Sequence, residues 1–115
     1  MPPDAELRAE IVREKSGDVR LILHGELDMN GVLATEDAVE RAVELAETRL
    51  VIDLAELTFM DMFGARALLR AADRANSPAR PVVIANPRLH VRRLFELITD
   101  IAPGRNLLAE LVSNG

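Results

Sequence analysis

Two short apolar runs rich in β-branched residues, Leu50-Val51-Ile52-Asp53-Leu54 and Val82-Val83-Ile84-Ala85, constrain this chain more than any other feature. A strand wetted on one face alternates apolar and polar residues, whereas a nearly unbroken apolar run of this length fits a strand covered on both faces. Amphipathic segments surround the two runs. Val39, Ala42, Val43 and Ala46 recur at helical spacing with Glu36, Glu40 and Glu44 on another face, which predicts a helix from Thr35 to Glu47 with Thr35 as its cap. Ala65, Leu68, Leu69 and Ala72 mark the inward face of a second helix from Phe63 to Ala75, with Arg66, Arg70 and Arg74 outward and Asn76-Ser77-Pro78 ending it. A third helix follows the stop at Asn86-Pro87, with Val91, Leu94, Phe95 and Ile98 inward, and Ala102-Pro103-Gly104 breaks it. Upstream, Leu7, Ala9 and Ile11 alternate with Arg8 and Glu10, and Val19, Leu21 and Leu23 with Arg20 and His24. The Lys15-Ser16-Gly17-Asp18 turn between them predicts a hairpin. Residues 106–112 suit a short last helix or an edge strand, and periodicity does not choose.

The order β-β-α-β-α-β-α predicts one α/β domain over residues 1–115, a mixed sheet of four or five strands packed against three or four helices, with residues 1–5 a flexible start. A chain of 115 residues that is 49% hydrophobic suffices for one core. Zero cysteines exclude disulfides, thiolate metal sites and thiol nucleophiles. Fourteen basic against nineteen acidic residues leave a net charge of −5, which works against generic attraction to nucleic acid or anionic membrane. Phe59, Phe63 and Phe95 are the only aromatic residues, too few for base-stacking platforms. No run approaches the roughly 18 apolar residues of a membrane span. The start Met1-Pro2-Pro3-Asp4 lacks the pattern of a signal peptide, so a cytoplasmic protein is expected.

Catalytic constellations are thin in the sequence. There are two histidines without local partners, His24 and His90, no glycine-rich phosphate loop, no histidine pair at zinc-ligand spacing and no nucleophile elbow. The expectation is a binding protein with no catalytic residue, no metal and no cofactor.

The most specific stretch is Arg49-Leu50-Val51-Ile52-Asp53-Leu54-Ala55-Glu56-Leu57-Thr58-Phe59-Met60-Asp61-Met62-Phe63-Gly64, a buried strand, a loop and an aspartate where a helix N-cap would sit. It resembles the STAS domain of anti-sigma factor antagonists and sulfate transporter tails. Gly25-Glu26-Leu27-Asp28 after the second strand supports the resemblance, as does Asn86-Pro87 followed by Val91-Arg92-Arg93-Leu94-Phe95-Glu96-Leu97, and together these span most of the chain from about Val19 to Ile98. The resemblance implies an anti-sigma factor antagonist, a regulatory protein that binds an anti-sigma factor of the serine-kinase type and so releases a sigma factor. The partner-binding surface it implies comprises Asp61, Met62, Phe63, Gly64, Arg66 and Arg70, with Glu26 and Asp28 from the loop after the second strand. In the family the helix opens Asp-Ser-Ser-Gly or Asp-Ser-Thr-Gly, and the residue after the aspartate accepts phosphate. Here that position is Met62, and Phe63 replaces the second hydroxyl residue, so the phosphorylation switch is expected to be missing.

The residues leave several readings open. Met62 and Phe63 either tuck into the core or project as apolar contacts for a partner. Asp61 is explained by capping alone, worth about 0.5 to 2 kcal/mol over alanine, and capping is compatible with recognition. The Glu36, Glu40, Glu44 and Arg66, Arg70, Arg74 rows are by default solvated faces that partly pair if the helices lie side by side, and the basic row would steer an acidic partner. The alternative function is a cytoplasmic STAS subunit of an ATP-driven lipid transporter, and a small-ligand sensor comes third. Association of two copies as a homodimer stays open, and neither nucleic acid nor direct membrane insertion is expected.

Overall fold

The computed structural model describes residues 6–101. In chain order the elements are strands β1 (Arg8–Arg13) and β2 (Val19–Leu27), a 3-10 turn (Met29–Gly31), helix α1 (Val32–Leu45), strands β3 (Leu50–Asp53) and β4 (Leu57–Met60), helix α2 (Met62–Ala75), strand β5 (Val82–Ala85) and helix α3 (Leu89–Ile101). The predicted hairpin, both apolar strands and all three helices form, in one mixed five-stranded sheet.

β2 is the strand from which the sheet is built. It pairs antiparallel with β1, Ile11 opposite Leu21. Its other edge is shared: Val19 to Ile22 pair parallel with β3, then Gly25 to Leu27 pair parallel with β4. β3 continues the sheet to β5, also parallel. The change of neighbour falls at Gly25, where the register shifts and φ is +90°, a backbone region that glycine reaches without the Cβ penalty. The bend is tied down by Gly25 N donating to the Glu56 carbonyl at 3.3 Å and the Thr58 hydroxyl donating to the Gly25 carbonyl at 3.1 Å.

Alternation along β2 decides which face meets the helices. Leu21, Leu23 and Leu27 are buried in one cluster with Val39 and Ala42 of α1, Leu68 and Ala72 of α2, and Val91 and Phe95 of α3. All three helices therefore cover the same face. On the opposite face Val51, Val83 and Ala85 form a smaller buried cluster, so β3 and β5 are covered on both sides, as their composition requires. Beside that cluster the half-buried Asp53 carboxylate accepts from Arg20 at 2.9 Å, from Ala55 N at 3.0 Å and from Asn86 Nδ2 at 3.2 Å. Three donors offset the desolvation that an unpartnered carboxylate would suffer there.

Three expectations need correction. Leu57–Met60 is a strand rather than part of a loop, because the bend at Gly25 opens an edge of β2 that β3 does not reach. Thr35 is not a cap: α1 begins at Val32, the chain having already been turned by Asp28, whose carboxylate accepts from Asn30 N at 2.9 Å. Thr35 lies one turn inside the helix, fully buried, and its hydroxyl has no hydrogen-bond partner among the described residues. The helix stops at Leu45, two residues before Glu47, when Ala46 turns to extended backbone. Residues 1–5, the Ala102-Pro103-Gly104 break and residues 106–112 lie outside the described residues.

At the edge of the sheet where β2 and β3 begin, Asp18 ties the hairpin turn to the α1–β3 connection. It accepts from the Thr48 hydroxyl at 2.5 Å and from Arg49 Nη2 at 3.0 Å. The Thr48 bond holds its carboxyl below the usual 3.8, burial opposes that, and Arg49 adds to the lowering. A carboxyl whose pKa is lowered by folding stabilises the folded state above its unfolded-state pKa and loses that contribution as pH falls through the folded-state value. Asp18→Asn is therefore expected to melt at a lower temperature than wild type at pH 7, and the gap should narrow once pH drops below 3.8. Thermal melts from pH 7 to pH 2 measure this.

Candidate protein-docking site

β2, β3, β4 and β5 run parallel, and α1, α2 and α3 each begin just past the carboxyl end of the strand or turn before them. The three helix starts consequently share one edge of the sheet. The opening of α2 is the most constrained of these. Asp61 is its N-cap, with extended backbone at φ −102° and ψ −179° and a carboxylate accepting from Gly64 N at 2.8 Å. Asp61 N also donates to the Leu27 carbonyl at 3.2 Å, which fastens the start of α2 to the end of β2. Gly64 is required by the same contact, because a Cβ there would collide with the Leu27 carbonyl oxygen and lie 2.8 Å from Leu27 Cγ.

With Asp61 and Gly64 held, the two residues between them part company. Met62 is half-buried and packs against the core, while Phe63 is 60% exposed. The core reading thus describes Met62 and the projecting reading describes Phe63. Arg66 and Arg70 follow Phe63 along the outer face of α2, both exposed, and no carboxylate lies within 4.0 Å of either among the described residues. The position after the cap aspartate holds a thioether, with no hydroxyl to accept phosphate. The neighbouring Thr58 hydroxyl is occupied by its bond to Gly25.

Glu26 and Asp28 sit on the β1 side of the β2 end. They line a shallow cavity of about 320 Å³ with Leu7, Asn30 and Gly31. Glu26 is still the register partner of Phe59 across β2 and β4. Glu26, Asp28 and the Asp61 to Gly64 opening therefore lie at the same edge, while Arg66 and Arg70 stand one and two turns along α2 from it. Sequence reasoning missed four apolar residues exposed there: Phe59 (44% exposed), Met29 (62%), Leu33 (79%) and Leu89 (63%), the first residue of α3. Leu57-Thr58-Phe59 contains β-formers that could have revealed the strand. Leu33 was hidden by placing the helix start at Thr35, and nothing in the sequence marks Met29.

The energetics of this opening give two expectations. Asp61→Ala removes a cap that accepts an otherwise orphaned amide and should cost about 1 kcal/mol, within the 0.5 to 2 range for such caps. Gly64→Ala forces β2 and α2 apart and should cost about 1 to 3 kcal/mol, the range for overpacking a tight contact. Urea denaturation of both variants tests this, and a neutral Gly64→Ala would mean that the approach to Leu27 is looser than described.

The fold recurs in known proteins. An anti-sigma factor antagonist from Mycobacterium paratuberculosis is 20% identical, covering 97% of this chain and 98% of that one with a TM-score of 0.65. The Bacillus cell fate determinant SpoIIAA in its phosphorylated form is 23% identical over 79% of this chain and 83% of its own, with a TM-score of 0.56. The murine anion transporter Slc26a9 matches at 13% identity and a TM-score of 0.63, over 79% of this chain but 16% of the transporter. No curated protein matches the chain. Residues 11–99 match the family described as Mlab, STAS domain, which spans both apolar strands, the capped opening of α2 and α3 to within two residues of its end. The chain belongs to the Mlab, STAS domain family.

Proposed function

We propose that this STAS domain is an anti-sigma factor antagonist working in the cytoplasm of a bacterium, which binds an anti-sigma factor of the serine-kinase type and releases a sigma factor. It acts on transcription by occupancy and carries out no chemistry of its own. The observation that carries the reading is the opening of α2, where a capped, glycine-docked helix start presents an exposed phenylalanine beside exposed arginines that have no carboxylate partner among the described residues. Exposed aromatic and arginine side chains are the residue types that dominate binding energy at protein interfaces. The phosphorylated and unphosphorylated forms of SpoIIAA, which shares the fold, support a signalling role for such domains.

The same opening sets the regulation. Phosphate added after the cap aspartate would bring a charge near −2 to a partner surface. With Met62 there, the antagonist stays competent to bind in the presence of ATP.

Affinity capture of the tagged chain from its native lysate, with and without ATP, tests the reading when both the retained proteins and any phosphate on the bait are identified by mass spectrometry. The expected result is a kinase-like anti-sigma factor retained equally in both conditions on an unphosphorylated bait. Retention of a transporter ATPase would favour the lipid-transporter subunit instead, and phosphate on Thr58 would overturn the regulatory part. Phe63→Asp should weaken retention at least about tenfold, the effect of losing a central apolar anchor. Met62→Ser should acquire phosphate from the captured kinase and then be released on adding ATP.

A further inference from the structure

α1 and α2 are equal in length at 14 residues each, and both run against the four parallel strands, so they lie side by side in the same direction. Their outer faces match position by position. Leu33, Glu36, Glu40 and Glu44 occupy the second, fifth, ninth and thirteenth places of α1, and Phe63, Arg66, Arg70 and Arg74 occupy the same places of α2. Each helix thus presents one exposed apolar residue at its start, followed by three charges of one sign at four-residue spacing.

Within one chain these rows do not neutralise each other. No ion pair within 4.0 Å joins the glutamates to the arginines among the described residues, and the intrahelical pair of α1 is Arg41–Asp37 at 3.3 Å. Between the helices lies a groove of about 310 Å³, floored by Val39, Val43, Ala71 and Ala75 and flanked by Glu36 and Glu40 of one row and Arg74 of the other.

We propose that this face binds a second copy of the chain. A two-fold axis lying along the groove carries α1 of one copy over α2 of the other without reversing helix direction, so each place meets its counterpart. Glu36 then faces Arg66 of the second copy, Glu40 faces Arg70 and Glu44 faces Arg74, and symmetry repeats all three. Leu33 packs on Phe63 of the other copy, also twice. An isologous interface must be self-complementary, and opposite charges at equal places on adjacent parallel helices meet that condition. The association is salt-sensitive, because the pairs lie at a surface where mobile ions screen them. It also covers Phe63, Arg66 and Arg70, so a second copy and a protein partner compete for one face. The proposal does not depend on what that partner is.

Sedimentation equilibrium of the purified full chain tests it, at ionic strengths of about 0.02 M and about 0.5 M. Wild type should dimerise reversibly and more weakly at the higher salt. Arg70→Glu and Glu40→Arg, both at exposed positions, should each weaken the dimer about tenfold or more, with unchanged thermal melts. An equimolar mixture of the two variants should restore association, since each then supplies the charge the other lost, and so should both changes in one chain. A wild-type chain that stays monomeric up to about 1 mM overturns the proposal. So does a dimer indifferent to both reversals, or a mixture no tighter than either variant alone.

Discussion

A single nine-residue strand, β2, has to satisfy three neighbours at once, and most of the architecture follows from how it does so. A strand has two hydrogen-bonding edges, and β1 takes one of them. β3 and β4 share the other only because β2 bends between the segments they pair with. Glycine at 25 permits that bend, and the Thr58 and Glu56 bonds hold it. Without it the second edge would belong to β3 alone. β4 would have no place in the sheet, and the connection into α2 would not be drawn against the end of β2.

That connection links the scaffold to the candidate docking edge. Leu27 closes β2, receives the Asp61 amide on its carbonyl, and leaves no room for a side chain at 64. Two backbone segments in contact make a stiffer mount than two side chains, because neither has rotamers to lose. Asp61, as cap, then fixes which way the first turn of α2 faces. Phe63 projects because Met62 fills the half-buried position beside it. A binding surface assembled this way presents its groups with little ordering left to do, which is where association otherwise loses free energy.

In the proposed association, the matched rows on α1 and α2 give one surface two roles. Opposite charges side by side on one chain are poorly placed to satisfy each other when they point outward, yet they are well placed to satisfy a copy turned about an axis between them. Exposed ion pairs contribute little individually, at about 0 to 1 kcal/mol. Selection of the matching register therefore owes more to the exclusion of mismatched partners than to strength. The apolar residue at the head of each row adds the part that salt does not screen.

Much of this protein was legible in the sequence. Its two covered strands, its hairpin, the inward faces of its helices and the cap at Asp61 all follow from periodicity and local chemistry, which depend on neighbours a few residues apart. The family followed from motif order between Val19 and Ile98. Only the tertiary structure decided what rests on distant contacts. β4 exists because β2 bends and leaves an edge free; the run Leu57-Thr58-Phe59-Met60 carries β-formers, but nothing in it tells of the bend at Gly25 that gives them a place in the sheet. The entry into α1 is set by Asp28 and the turn after β2, so Thr35 became a buried residue instead of a cap. Whether Met62 or Phe63 faces outward depended on how closely Gly64 lets α2 approach Leu27, a distance between segments 37 residues apart in the chain. The rows on α1 and α2 likewise match because both helices start at one edge and run the same way, which only the sheet imposes.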